Sequence, residues 1–301
     1  MSRSRPPAVH APNHADVYSR ITAEIVAAIE AGAGSLRMPW HHDGAAITRP
    51  ENFSSRKRYR GVNVLLLWAA ATLHGYGSGQ WGTYRQWQAA GAQVRKGEHG
   101  TTVILWKEAA SHDDHDDQPG KARVFGRAFT LFNLAQVDGY APGPAAVLPD
   151  RARLGQVDAF FAALRIPLEV GDHQAHYRIA QDRIFMPPFA AFRSPAHHAG
   201  VLIHEAAHAT GAKHRLARNF EERFDRAGRA LEEICADLTA AFILADLGIA
   251  HHPRPDHAAY IASWLRSLKD DPRAIFAAAS KAQQAADWMH GQQSDRLARA
   301  V

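Results

Sequence analysis

The run His204-Glu205-Ala206-Ala207-His208 constrains this chain more than any other feature, because it calls for a helix and for a second element to complete that helix's chemistry. It lies in VLIHEAAHATG, where Val201, Leu202 and Ile203 lead into a helical pattern and Gly211 is the expected stop. Side chains four apart on a helix project from one face, so the two imidazoles can share one metal ion. Glu205 sits one position round and can reach a water beside that ion without ligating it, which is where a hydrolytic zinc site needs its general base. With nineteen histidines in the chain the pattern alone arises by chance at an appreciable rate. The apolar lead-in, the alanine pair and the following glycine make it more specific.

Two segments compete to supply a third ligand. HEAAHATGAKH fits H-E-x-x-H-x-x-G-x-x-H, which would make His214 the ligand, as in metzincins. That class also needs a methionine turn, and the only methionine after His214 is Met289, in a helical-looking stretch. ALEEICADLTAAFILADLG instead places Leu231, Ile234, Leu238, Ala241, Phe242 and Ala245 at helical spacing, with two glutamates near its start. Glu233 follows His208 by 25 residues, enough for a loop and an antiparallel return. Asp237, one turn on, is placed to accept the second ring N–H of a ligand histidine. A Glu-x-x-x-Asp helix crossing an HExxH helix is the gluzincin arrangement. We therefore expect His204, His208 and Glu233 to hold one divalent ion, zinc with manganese as the other candidate, with Glu205 as base and Asp237 behind the ligands. Glu232 is the alternative within the same helix.

The rest of the chain divides in two. Prolines at 142, 144 and 149 and a glycine at 143 mark a linker over residues 141–150. Before it, 14–140 reads as an α+β domain: an amphipathic helix over Asp16–Ala31, an apolar helix over Asn63–His74, a short one over Thr83–Ala89, and a hairpin of Thr101–Lys107 with Arg123–Phe132. After it, 151–301 reads as mainly helical beyond a short strand near Ala175–Phe185. At 301 residues each half is long enough for its own core. Residues 1–13 read as a disordered tail, since their arginines have no apolar run behind them. No stretch of 18 apolar residues occurs, so no membrane span is expected. The single cysteine, Cys235, rules out an intrachain disulfide, fits a reducing cytoplasm and is expected in the core.

Charge separates the halves further. Residues 1–145 carry 16 Lys and Arg against 12 Asp and Glu, and four of those acids fall in the run SHDDHDDQPG, which reads as a solvated loop. Arg49, Arg56, Lys57, Arg58, Tyr59 and Arg60 cluster in one segment, and Arg95 and Lys96 lie beside two glycines. Trp40, Trp81 and Tyr84 are interleaved. Cations that follow phosphates and aromatic faces that take bases make a sequence-tolerant single-strand platform. A solvated basic loop and core tryptophans would give the same composition.

The segments DRIFMPPFAAF, LIHEAAHATG, RLAR and LEEICADLTAAF, together with KRYRGVNVLLL, GTYRQW, GAQVRKGEHGT and FTLFNLAQVDG, resemble the ArdC-like antirestriction proteins from about Ala15 to about Trp288. The resemblance implies a single-stranded-DNA-binding domain followed by a zincin-like metallopeptidase domain, in a mobile-element protein that protects incoming single strands during plasmid conjugation. The family position matching His214 is not generally histidine. At His197-His198 this chain departs from the aromatic residues usual there. Two other readings remain at this stage: a DNA-binding protein whose metal only braces the fold, and a protease that cuts a DNA-bound partner.

Overall fold

The computed structural model describes residues 14–33, 49–108, 124–142, 150–218, 226–249 and 257–299. The tail, Trp40, the acidic run and most of the expected linker lie outside them. In the first half, α1 (His14–Ala33) turns Ile21, Ile25 and Ile29 inward, as a stripe at i, i+4 requires. The second helix, α2 (Val62–His74), is apolar almost all round. It stops at Gly75, whose φ of 67° is the left-handed cap that a residue without Cβ adopts at little cost, and the Gly75 N–H returns to carbonyls of Ala71 and Thr72.

The strands β1 (Glu51–Asn52), β2 (Gln80–Gly82), β3 (Gln93–Val94), β4 (Thr101–Glu108), β5 (Val124–Asn133) and β6 (Val137–Asp138) form a four-stranded sheet ordered β1-β2-β5-β4 and a small β3-β6 pair. The expected hairpin is β4 with β5, antiparallel from Thr101 opposite Leu131 to Glu108 opposite Val124. Between β2 and β3, α3 (Tyr84–Ala89) starts from a capping box in which Thr83 and Gln86 satisfy each other's backbone N–H groups. Trp87 of α3 is buried, stacked on Phe53 at 3.7 Å, and donates its indole N–H to the Phe132 carbonyl.

In the second half, α4 (Asp150–Leu164) leads into β7 (Leu168–Val170), β8 (His176–Arg178) and β9 (Arg183–Met186), a sheet ordered β7-β9-β8. Four helices follow: α5 (Pro195–Ala209), α6 (Arg226–Leu247), α7 (His257–Asp270) and α8 (Ala274–Arg299). The long helix α6 packs on α5 and on α8, with Ile234, Leu238, Phe242 and Ala241 fully inside. Where the sequence suggested one strand near 175–185 there are two, β8 and β9, and a third, β7, precedes them; β7 and β8 are only three residues long, too short for an alternation to register.

The expectation of two separate cores needs correction. One continuous cluster joins Ile21, Ile25 and Ile29 of α1 and Leu65 and Trp68 of α2 with the helices of the second half. The reason is the apolar girth of α2. Its Leu67 and Ala71 pack against Trp81, Val103 and Leu131 on the sheet side, while Trp68 reaches Phe242 of α6 at 5.9 Å between rings. A helix that is apolar all round must be covered all round. The first half alone would expose this face, so α1 and α2 share an interior with the second half, while the sheet side of the first half keeps two clusters of its own. Among the described residues no helix is long and apolar enough to cross a membrane.

Candidate metal centre

The helix that carries the motif is well started. Pro195 fills its first turn and the Ser194 hydroxyl accepts the His197 N–H at 3.1 Å. Its end differs from the expectation, because no left-handed Gly211 closes it. Arginines from the following loop bind its last carbonyls instead: Arg215 donates to Ala209 O at 2.9 Å and Arg218 to Ala207 O at 2.7 Å. Cations there also suit the negative end of the helix dipole.

His204 and His208 are both buried, with their Nε2 atoms 3.1 Å apart and their rings nearly perpendicular. From α6, Glu233 brings Oε2 to 3.4 Å from His204 Nε2 and Oε1 to 3.7 Å from His208 Nε2. Among the described residues these three form a group whose donor atoms all lie within 4.8 Å of one another. A tetrahedral ion with ligands at about 2.0–2.1 Å has edges of about 3.3 Å. Taken over both Glu233 oxygens, the separations of 3.1, 3.4 and 3.7 Å lie on either side of that length, so the donor group is of the right size for one divalent ion.

Around this group stand three more carboxylates. Glu205 is buried and accepts the Tyr177 backbone N–H of β8 at 2.9 Å on Oε2. Asp237 lies fully inside, its Oδ1 3.9 Å from His204 Nδ1, on the side the sequence assigned to it. Glu232 approaches His208 Nδ1 at 3.3 Å and pairs with the buried Arg218 at 2.8 Å. It therefore faces the rear nitrogen of that ring, not the donor group. His214 is 62% exposed, paired with Asp182 at 3.2 Å, and stands apart from the donor group. Cys235 is buried, and burial pushes its thiol up to about 12.

Without metal the site holds a proton. Burial alone would pull His208 down, but Glu233, Glu232 and Glu205 hold it up at about 9. Glu232 is brought to about 2, against its burial, by His208 and Arg218, and Glu233 is driven far below the usual range, also against burial, by the two histidines. A histidine raised above its unfolded value of about 6.5 adds stability that is fully present below that pH and lost as pH rises through about 9. The metal-free chain is thus expected to melt at progressively lower temperature between those limits. The metal-loaded chain, whose His208 would already be neutral, should not. Melting curves across this range with and without chelator check the point, and parallel profiles would contradict it.

The residues expected to meet DNA are dispersed. Trp81, read as a stacking face, has zero exposure and belongs to the core, a correction that follows from its packing with Leu67 and Leu131. Arg58 binds Asp246 at 2.7 Å, and Arg60 pairs with Asp287. Both ties run to the second half, and both arginine side chains stay more than half exposed, at 52% and 61%. Arg56 pairs with Glu51 at 2.8 Å, and Arg95 with Glu98 at 2.7 Å and Asp138 at 3.4 Å. Tyr59 is half-buried and its hydroxyl accepts from Asn52 at 3.2 Å. Lys57, Lys96 and Tyr84 are exposed. The turn that carries Lys57 is tied to α3 through Asn52 and Gln86, and Gln93, three residues before Lys96, donates to the Tyr84 hydroxyl at 3.0 Å.

Sequence reasoning missed the Tyr177 N–H on Glu205 and the Arg218–Glu232 pair behind His208. The first has a backbone N–H as its donor, which leaves no mark in the sequence. The second was visible only as two arginines three apart just after the motif helix.

Two family models match the chain, the N-terminal domain of anti-restriction factor ArdC over residues 15–132 and a zincin-like metallopeptidase over 155–281. The uncharacterized protein y4eC of Sinorhizobium fredii (strain NBRC 101917 / NGR234) is 54% identical over 286 residues, 93% of this chain and 93% of its own length. A DNA primase TraC of Escherichia coli is 32% identical over 291 residues, which cover 90% of this chain but 27% of that longer protein. The crystal structure of the antirestriction ArdC protein from the R388 plasmid in metal-free form matches with a TM-score of 0.77 at 37% identity, covering 93% of this chain and 98% of that one. Its Mn(II)-bound form matches with a TM-score of 0.74 at 37% identity, covering 92% and 98%.

Proposed function

This chain belongs to the ArdC-like antirestriction proteins, an ArdC N-terminal domain followed by a zincin-like domain, and on that premise we propose that it binds and protects single-stranded DNA and hydrolyses peptide bonds at a divalent metal site. The observation that carries the hydrolytic part is the buried His204–His208–Glu233 donor group with Glu205 beside it. An ion bound there would supply Lewis acidity toward the peptide carbonyl and lower the pKa of a water. Two imidazoles and a carboxylate at tetrahedral spacing favour zinc; manganese, found in the R388 relative, is the alternative.

The chain's own part in the reaction falls to Glu205. The Tyr177 N–H fixes one of its oxygens and so orients the carboxylate, which leaves the other to take a proton from the attacking water and pass it to the departing amine. Glu232 stands behind the His208 imidazole and holds its orientation, and Asp237 lies 3.9 Å behind the His204 ring. A purely structural metal is disfavoured, because such sites are closed by four ligands, commonly cysteines, and have no use for a buried acid beside them. Hydrolysis of a peptide library by the metal-loaded chain, abolished by chelation and restored by zinc, tests this part.

For DNA, the supporting features are the ArdC domain match and the surface that carries Lys57, Lys96, Arg56, Arg95 and Tyr84. In the full-length chain, Lys57→Ala with Lys96→Ala is expected to weaken single-strand binding alike for all sequences. It should also lower the slope of log K against log salt by about 0.7 for each phosphate that the protein no longer neutralises. Tyr84→Ala should cost about 1–3 kcal/mol with little change in slope if the ring stacks on a base. Affinity and salt slope unchanged in all three substitutions would remove this surface from the reading.

A further inference from the structure

The loop after the motif helix has a role that the ligand set does not explain. Arg218 is almost fully buried and spends its whole guanidinium on two elements. Its Nε and Nη2 grip both oxygens of Glu232 on α6, at 3.2 and 2.8 Å. Its Nη2 also reaches Ala207 O, and its Nη1 reaches Thr210 Oγ1 at 2.5 Å, both at the end of α5. The same Glu232 Oε1 lies 3.3 Å from His208 Nδ1. One carboxylate oxygen is therefore shared between a fixed fork and the rear nitrogen of a candidate ligand.

We infer that Arg218 and Glu232 are positioning residues for the metal site: Arg218 locks Glu232, and Glu232 sets the ring of His208 and the register of Glu233 beside it. The inference rests on the reading of His204, His208 and Glu233 as the metal-holding group. Three features support it. A planar guanidinium in a two-point grip fixes a carboxylate's direction where a lysine would fix only its distance. A carboxylate on the non-ligating nitrogen fixes tautomer and ring plane, and losing such a partner typically weakens metal binding 10–100-fold. Finally, Glu232 and Glu233 are consecutive on α6, so clamping the first to the end of α5 sets how the second meets the two histidines.

The test uses the full-length chain stripped of metal and titrated with Co(II), whose visible d–d bands report ligand geometry as well as occupancy. Removing one partner strands a buried charge, so the main variant replaces both with apolar residues, Arg218→Met with Glu232→Leu, an exchange that buried ion pairs commonly tolerate and that leaves no acceptor on the His208 ring. The expected result is a folded protein that binds Co(II) 10–100-fold more weakly, with shifted bands. Arg218→Lys should lie between it and the wild type. A folded double variant with wild-type affinity and spectrum would overturn the inference, leaving the pair a brace for the fold and the metal reading intact. If the double variant does not fold, Arg218→Lys decides by the same two readouts, and wild-type affinity and spectrum there would overturn the inference. A wild-type chain that takes up none of Co(II), Zn(II) and Mn(II) would overturn the metal reading itself, and the inference with it.

Discussion

Glu205→Gln is expected to keep the metal and the fold and to lower peptide hydrolysis by about 10²–10⁴-fold, the usual contribution of a positioned general base. In barrier terms that is about 3–5 kcal/mol at 1.36 kcal/mol per tenfold. The fold should survive because the amide oxygen of Gln can still accept the Tyr177 N–H that Glu205 accepts at 2.9 Å. The metal should stay because Glu205 is outside the donor group of His204, His208 and Glu233. What the variant loses is the capacity to take a proton from water. Metal content and hydrolysis rate measured on the same preparation separate the two effects. An unchanged rate with full metal would remove Glu205 from the chemistry.

The second large effect is on stability. Asp246 near the end of α6 has a side chain only 2% exposed and meets two guanidinium groups and an imidazole: Arg49 at 3.0 Å, Arg58 at 2.7 Å and His290 Nε2 at 2.9 Å. Arg49 is itself buried, lies over the Phe242 ring at 4.6 Å and also donates to Gln283. Asp246→Ala leaves that guanidinium inside without a counter-charge, which typically costs about 3–5 kcal/mol. Against a whole-domain stability of about 5–15 kcal/mol this is a large share. Arg58→Ala, whose side chain is 52% exposed, should cost under about 1 kcal/mol. Urea midpoints of the two variants check the contrast. If they coincide, the network is only a surface ornament of the domain interface.

The legible and illegible parts of the chain differ in a simple way. The i, i+4 histidines of α5 and the Glu233–Asp237 turn of α6 are local periodicities, and one helix repeat predicts where such side chains point. Choosing Glu233 over His214 needed one further fact, that an isolated motif match lacked its methionine turn, and the structure puts His214 on Asp182, away from the donor group. Contacts between distant residues left no comparable trace. Arg49 and Asp246 are 197 positions apart, and nothing in either segment names the other. Basic and aromatic composition also could not separate roles, because Arg58 on an ion pair and Lys57 on open surface are neighbours in sequence. Trp81 in the core and Tyr84 outside it are three residues apart, divided only by the turn from β2 into α3.

The central claim is that three side chains from two helices hold one ion, and metal analysis of purified full-length variants tests it most directly. Wild-type protein reloaded with zinc should carry one ion per chain. His208→Ala and Glu233→Ala should carry almost none, because each removes one of three donors that lie within 4.8 Å of one another. His214→Ala should stay at one, since its ring is 62% exposed and paired with Asp182. Full occupancy in Glu233→Ala, or loss of the ion in His214→Ala, would contradict the assignment.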